Sequence, residues 1–230
     1  MRTTAFALVA ALCLTQSGLA KDLNATLERI NVSDTNYLPK ILFEKAKSID
    51  IQQRLNKDWF EGVSLFYQEA LPPENVKRLG DILLLHGAAF SSETWATRVK
   101  SAGASTMRIF ASAGYRVVAI DQPGFPRKTT GSLRSLSSEE FIKQLIENLG
   151  LRKPAIVSPS ASGRDGQNWN ENETPTLIVR GERDGRPFRQ FLSMPNSLLL
   201  ILPDAPHAAY LTQPDLFHHA VIHFLDAVMW

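Results

Sequence analysis

From Ile82 onward, short apolar runs alternate with amphipathic stretches, and this rhythm constrains the fold more than any other feature of the chain. The apolar runs cover residues 82–85, 116–120, 155–157, 176–179 and 198–202. The stretches between them, 92–113 and 139–149, and the closing one from about 215 to 228, have helical length and period. Strands that are apolar on both sides are buried on both faces, and strands separated by helices have the crossover length that parallel pairing needs. The expected architecture is α/β, a mostly parallel sheet with helices on both faces. Local signals agree: Ser137-Ser138-Glu139-Glu140 is a capping box, after which Phe141, Leu145, Ile146 and Leu149 share one helical face. Gly114 and Gly150 stand where helices end.

Ahead of this region, residues 59–71 alternate as an opening hairpin would, whereas 21–58 are mixed and polar with no clear period. With 230 residues, 44% of them hydrophobic, the chain can bury one sizeable core. The expected organisation is a leader at 1–20, an N-terminal segment at 21–58 and one α/β domain at 59–230. The leader reading rests on Arg2, an apolar stretch at 5–14 and the small residues Ser17-Gly18-Leu19-Ala20, which together form a signal-peptide layout. That stretch is shorter than the roughly 20 residues a membrane span needs, so a cleaved signal is the first reading and an anchor through 5–19 the second. The sequons at Asn24 and Asn31 fit a secretory, secreted or membrane-anchored glycoprotein. Cys13, the only cysteine, lies inside the leader and says nothing about compartment.

A net charge of +2 from 25 basic and 23 acidic residues, with no basic run, argues against nucleic-acid binding. The chemistry lies in three loops, each placed just after an apolar run. Ser160 stands in Val157-Ser158-Pro159-Ser160-Ala161-Ser162-Gly163, with small residues two before and two after it, as a tight strand-to-helix turn requires. Asp184 ends Arg180-Gly181-Glu182-Arg183-Asp184, and His207 follows in Asp204-Ala205-Pro206-His207. The order Ser, Asp, His is that of a nucleophile, an orienting acid and a general base. Leu85-His86-Gly87-Ala88 can aim a backbone N–H at a developing oxyanion, so the N–H groups of Ala88 and Ala161 are the expected oxyanion hole. His86 reads as a loop-holding residue, and His218, His219 and His223 as surface residues of the last helix, although His219 and His223 have the i, i+4 spacing of metal ligands. Trp95 reads as core. No Gly-rich phosphate loop, zinc motif or dinucleotide fingerprint occurs, so neither a cofactor nor a metal is expected.

Three segments carry a family likeness. They are His86-Gly87-Ala88-Ala89-Phe90-Ser91-Ser92-Glu93-Thr94-Trp95, the run from Ala113-Gly114-Tyr115 to Asp121-Gln122-Pro123-Gly124, and Val157 to Gly163. With these, the chain from about Asp81 to its end resembles the alpha/beta-hydrolase domain-containing protein 14 family, of the A type that has an N-terminal hydrophobic segment. The resemblance implies the alpha/beta-hydrolase fold, a small serine hydrolase, hydrolysis or transfer of an acyl group, and the roles of Ser160, Asp184 and His207 as nucleophile, acid and base; the chain is separately expected to be a monomer acting on a small-molecule acyl substrate.

The chain departs from that pattern after Ser160. Only the 15 residues from Ala161 to Pro175 separate the nucleophile from the next strand, and most are polar. The nucleophile helix alone takes about 10–14 residues, and a further strand and crossover would need more. A strand and most of the elbow helix are therefore expected to be missing. Two functions of different class follow: a serine hydrolase or acyl transferase acting on a small acyl ester or thioester, or a truncated, inactive splice or gene-model variant that is at most an interaction protein.

Overall fold

The computed structural model describes residues 7–11, 40–60, 62–99, 103–125, 129–130, 137–152, 154–160, 175–185 and 196–229. Eight strands form one sheet: β1 (Ala7–Ala11), β2 (Ile51–Phe60), β3 (Val63–Ala70), β4 (Gly80–Leu84), β5 (Tyr115–Ile120), β6 (Ala155–Pro159), β7 (Thr176–Gly181) and β8 (Ser197–Leu202). The helices are α1 (Lys40–Lys47), α2 (Glu93–Ala96), α3 (Thr106–Ser112), α4 (Ser138–Asn148), α5 (Ala209–Thr212) and α6 (Pro214–Val228). Across the sheet the order is β2-β3-β5-β4-β6-β1-β7-β8. Strands β5, β4 and β6 pair in parallel, as do β7 and β8, whereas β3 and β1 run against their neighbours.

Strand alternation divides the core into two layers. Ile82, Leu84, Val117, Ala119, Ala155 and Val157 face one side, with Met107, Phe110, Phe217 and Phe224 from α3 and α6 packed over them. Leu83, Leu85, Val118, Ile120 and Ile156 face the other, covered by Leu145 of α4, by Leu149 just after it and by Trp59. Both faces of the central strands are thus dry, as their continuous apolar runs require. The caps fall where the sequence puts them: the Ser137 hydroxyl accepts the Glu140 N–H at 3.2 Å, and Gly114 (φ +104°) and Gly150 (φ +58°) close α3 and α4 in the left-handed region.

Three local expectations change. The hairpin begins at Ile51, well before Trp59: β2 is an outer strand with Gln52, Gln53, Arg54 and Leu55 exposed, so it shows no buried face for a period to reveal. The single helix expected over 92–113 is two, α2 and α3. The chain leaves α2 at Thr97 in an extended conformation, makes a bridge between Arg98 and Ser105, and restarts α3 with the Ser105 hydroxyl accepting the Arg108 N–H at 3.3 Å. In the last helix, His218 and His219 are buried instead of lying on the surface, because α6 packs into the core on that side.

The largest correction concerns the N-terminus. Residues 7–11 form an interior strand, antiparallel to β6 on one side and to β7 on the other. They are part of the sheet in which the expectation had a removable leader or an anchor through 5–19. Among the described residues no helix is long and apolar enough to cross a membrane. The secretory and membrane assignments, which rested on the leader, do not hold, and the glycoprotein assignment, which joined the Asn24 and Asn31 sequons to a secretory route, falls with them. An apolar stretch of Ala, Leu and Val suits the h-region of a signal and a buried strand equally well, which is why composition misled. Asn24 and Asn31 lie outside the described residues. The strand expected to be missing after Ser160 leaves no gap either, because β1 fills the sheet between β6 and β7.

Candidate active site

The parallel strands deliver the three candidate residues to one edge of the sheet. Ser160 follows β6 directly and has φ +60°, a left-handed conformation that costs a non-glycine residue of order 1–3 kcal/mol and persists only where its surroundings impose it. The turn turns the side chain out of the strand's line, as a nucleophile elbow does. Gly87 makes room for it: a Cβ there would stand 3.2 Å from Ser160 Cβ and 3.6 Å from Oγ.

The loop carrying Gly87 is held from several directions. Leu85 N–H donates to the Val157 carbonyl at 2.9 Å, which ties the end of β4 to β6. The Trp95 indole N–H donates to the Leu85 carbonyl at 3.0 Å, and its ring is buried and stacked on Tyr210 with centroids 4.9 Å apart. Asp121 accepts the Ser92 N–H at 2.8 Å. His86 is buried in this network: its Nε2 accepts the Gln122 N–H at 3.0 Å, so the proton resides on Nδ1, which donates to the Gly87 carbonyl at 2.9 Å. With both ring nitrogens engaged in holding backbone, His86 is a structural residue of the loop.

Asp184 and His207 come from the loops after β7 and β8. These loops are stitched together by Glu182 N–H to the Leu202 carbonyl (3.0 Å) and Arg183 N–H to the Ala205 carbonyl (2.9 Å). Glu182 accepts the Asp204 N–H at 2.9 Å, and Arg183 pairs with Asp204. The Arg180 guanidinium donates to the Asp184 carbonyl. Gly181 is the contact that permits this approach: a Cβ there would lie 2.3 Å from the Ala205 and Pro206 carbonyl oxygens. Gly181 and Arg180 were absent from the sequence-level site, and only a glycine immediately before the acid loop marked the spot.

The result is a line of three side chains. His207 Nδ1 lies 2.9 Å from Asp184 Oδ2, and His207 Nε2 lies 3.5 Å from Ser160 Oγ. The Asp184 side chain is 3% exposed and that of His207 25%, so the acid is shielded while the base reaches the surface. A proton can pass from the hydroxyl to the ring while the carboxylate holds the other nitrogen, and the longer outer contact is the looseness usual without substrate. Of the expected oxyanion donors, Ala88 is exposed in the turn directly after Gly87, and Ala161 lies outside the described residues. Behind the site, His218 is fully buried with Nε2 2.9 Å from the Thr106 hydroxyl, and burial pushes its pKa down to about 3. Burial likewise raises the Tyr210 phenol to about 12. Both groups are neutral parts of the packing that supports the loops.

Known proteins resemble the chain in sequence and in fold. The profile of the Alpha/beta hydrolase family matches residues 82–158. A human protein named "Putative protein-lysine deacylase ABHD14B" is 30% identical over 212 residues, which take in 77% of this chain and 98% of the relative. The aligned length exceeds the part of this chain it uses, so the relative has residues without counterparts here. Protein ABHD14A of Danio rerio is 31% identical over 199 residues, covering 70% of this chain and 72% of that one. Among solved structures, a predicted CIB-like hydrolase from Thermoplasma acidophilum superposes with a TM-score of 0.61 at 19% identity, covering 77% of this chain and 99% of that one. The carboxylesterase CesB of Bacillus subtilis superposes with a TM-score of 0.54 at 13% identity, covering 87% and 98%.

Proposed function

Because the chain belongs to the ABHD14 family and has the alpha/beta-hydrolase fold that its hydrolase relatives share, we propose that it is a serine hydrolase or acyl transferase working through Ser160, His207 and Asp184. The observation that carries this reading is the position of His207, whose two ring nitrogens face Asp184 at 2.9 Å and Ser160 at 3.5 Å.

In the proposed reaction Ser160 Oγ attacks the acyl carbonyl while His207 Nε2 takes the hydroxyl proton. The tetrahedral oxyanion is held by the N–H groups of Ala88 and Ala161, at the loop that Gly87 brings against Ser160. The bond to the leaving group then breaks, and the leaving oxygen, sulfur or nitrogen departs with the proton from His207. Water, or another nucleophile in the transferase case, attacks the acyl-enzyme as His207 takes its proton, and His207 then returns that proton to Ser160 Oγ as the acyl–oxygen bond breaks, which frees the acyl product and regenerates the hydroxyl. Asp184 keeps the Nδ1 proton in place and stabilises the imidazolium at both stages.

A small acyl ester or thioester suits this chemistry. The human relative's name adds acylated lysine to the acyl donors worth assaying. The test is hydrolysis of p-nitrophenyl acetate by the native chain, Ser160→Ala and His207→Ala. Each substitution is expected to lower kcat by about a thousandfold or more. Equal rates in all three proteins would reject the assignment.

A further inference from the structure

The strands that end in the nucleophile and the acid do not pair with each other. β6 leads to Ser160 and β7 to the Asp184 loop, and β1 lies between them. β1 follows β6 from Ala11 opposite Ala155 to Ala7 opposite Pro159, and β7 from Ala10 opposite Thr176 to Ala7 opposite Val179. Ala7 is therefore level with the residue just before Ser160. Adjacent strands are about 4.8 Å apart, so β1 holds β6 and β7 roughly two spacings apart, a distance that His207 then bridges. Without β1 the two strands would either expose facing ladders of unpaired N–H and C=O groups or close onto each other. Closure would shift Asp184 by about 5 Å relative to Ser160, far beyond the roughly half an ångström a catalytic constellation tolerates.

We propose that the chain's own residues 7–11 are an integral strand of the catalytic domain, the occupant of the slot between β6 and β7, and that assembly of the site depends on them. Ala-Leu-Val-Ala-Ala has no charged or proline residue, and it pairs with β6 over Ala7–Ala11 and with β7 over Ala7–Ala10. The strand requires no catalytic assumption, while its effect on activity rests on the triad reading given above.

Hydrogen exchange on the full chain, run beside Ser160→Ala, tests the strand itself. The amides of residues 8–10 are expected to exchange about a hundredfold or more slowly than free chain, with protection comparable to Val157 and Leu177, in both proteins. Free-chain exchange at 8–10 while Val157 and Leu177 stay protected would overturn the proposal. The dependence of the site is tested by labelling with a fluorophosphonate probe after Val9→Pro, which removes an interior ladder donor, and after Gln16→Pro outside the strand. Labelling is expected to fall at least about tenfold in the first and to stay at the native level in the second. Native labelling with Val9→Pro would overturn the dependence. Protected amides in a native chain that does not label would sink the triad reading and leave the strand standing.

Discussion

Close approaches between backbone and side chain hold the three candidate residues together. Gly181→Ala would drive a methyl into two carbonyl oxygens at 2.3 Å, separating the acid loop from the histidine loop. It is expected to cost about 2–4 kcal/mol by denaturant unfolding and to lower kcat at least about a hundredfold. Unchanged kinetics would mean that the two loops are positioned by other contacts. Asp184→Asn keeps the size but leaves Nδ1 of His207 without its carboxylate, and should reduce kcat by about 10³–10⁴ with little change in KM. The three candidate residues were legible because each ends an apolar run in the order Ser, Asp, His. Their supports were less so: Gly87, Gly181 and the indole of Trp95 act through where they sit in space, and residue type records that only faintly.

At the element scale, strands with two buried faces and helices with standard caps could be read directly. The inner strands β4, β5, β6 and β7 carry apolar runs that are buried on both faces, the outermost strand β8 is equally apolar although Ile201 is exposed, and α4 carries its own start signal in Ser137. Ser137→Ala should therefore cost about 1 kcal/mol, checked by the midpoint of urea unfolding with an unchanged slope. What escaped were elements defined by their neighbours. β2 is an exposed outer strand anchored by Arg54 to Glu69 at 2.7 Å, and the same carboxylate takes Arg116 from β5 at 2.7 Å, an arrangement no periodicity reports. β1 escaped for the opposite reason. Its residues are apolar throughout, and only the order of strands in space tells an interior strand from a leader.

For the whole molecule, stability should depend on pH through His218. In the fold burial holds its pKa near 3 against an ordinary 6.5, so between those values the unfolded chain binds a proton that the folded chain refuses. Its contribution is full above about pH 6.5 and drains away as pH falls toward 3. Tm should drop on going from pH 7.5 to 4.5, and His218→Gln, although less stable at neutral pH, should show a shallower drop; parallel curves would remove His218 from the acid response. One sheet, completed by its own N-terminal strand, is proposed to bring Ser160, His207 and Asp184 into a working line. The most direct measurement is fluorophosphonate labelling of the purified full-length chain, with the modified residue located by peptide mass analysis, beside Ser160→Ala and His207→Ala. One adduct is expected, on Ser160, absent from both variants. A cooperatively folded native chain that takes no label, or that takes it on a residue other than Ser160, would contradict the account.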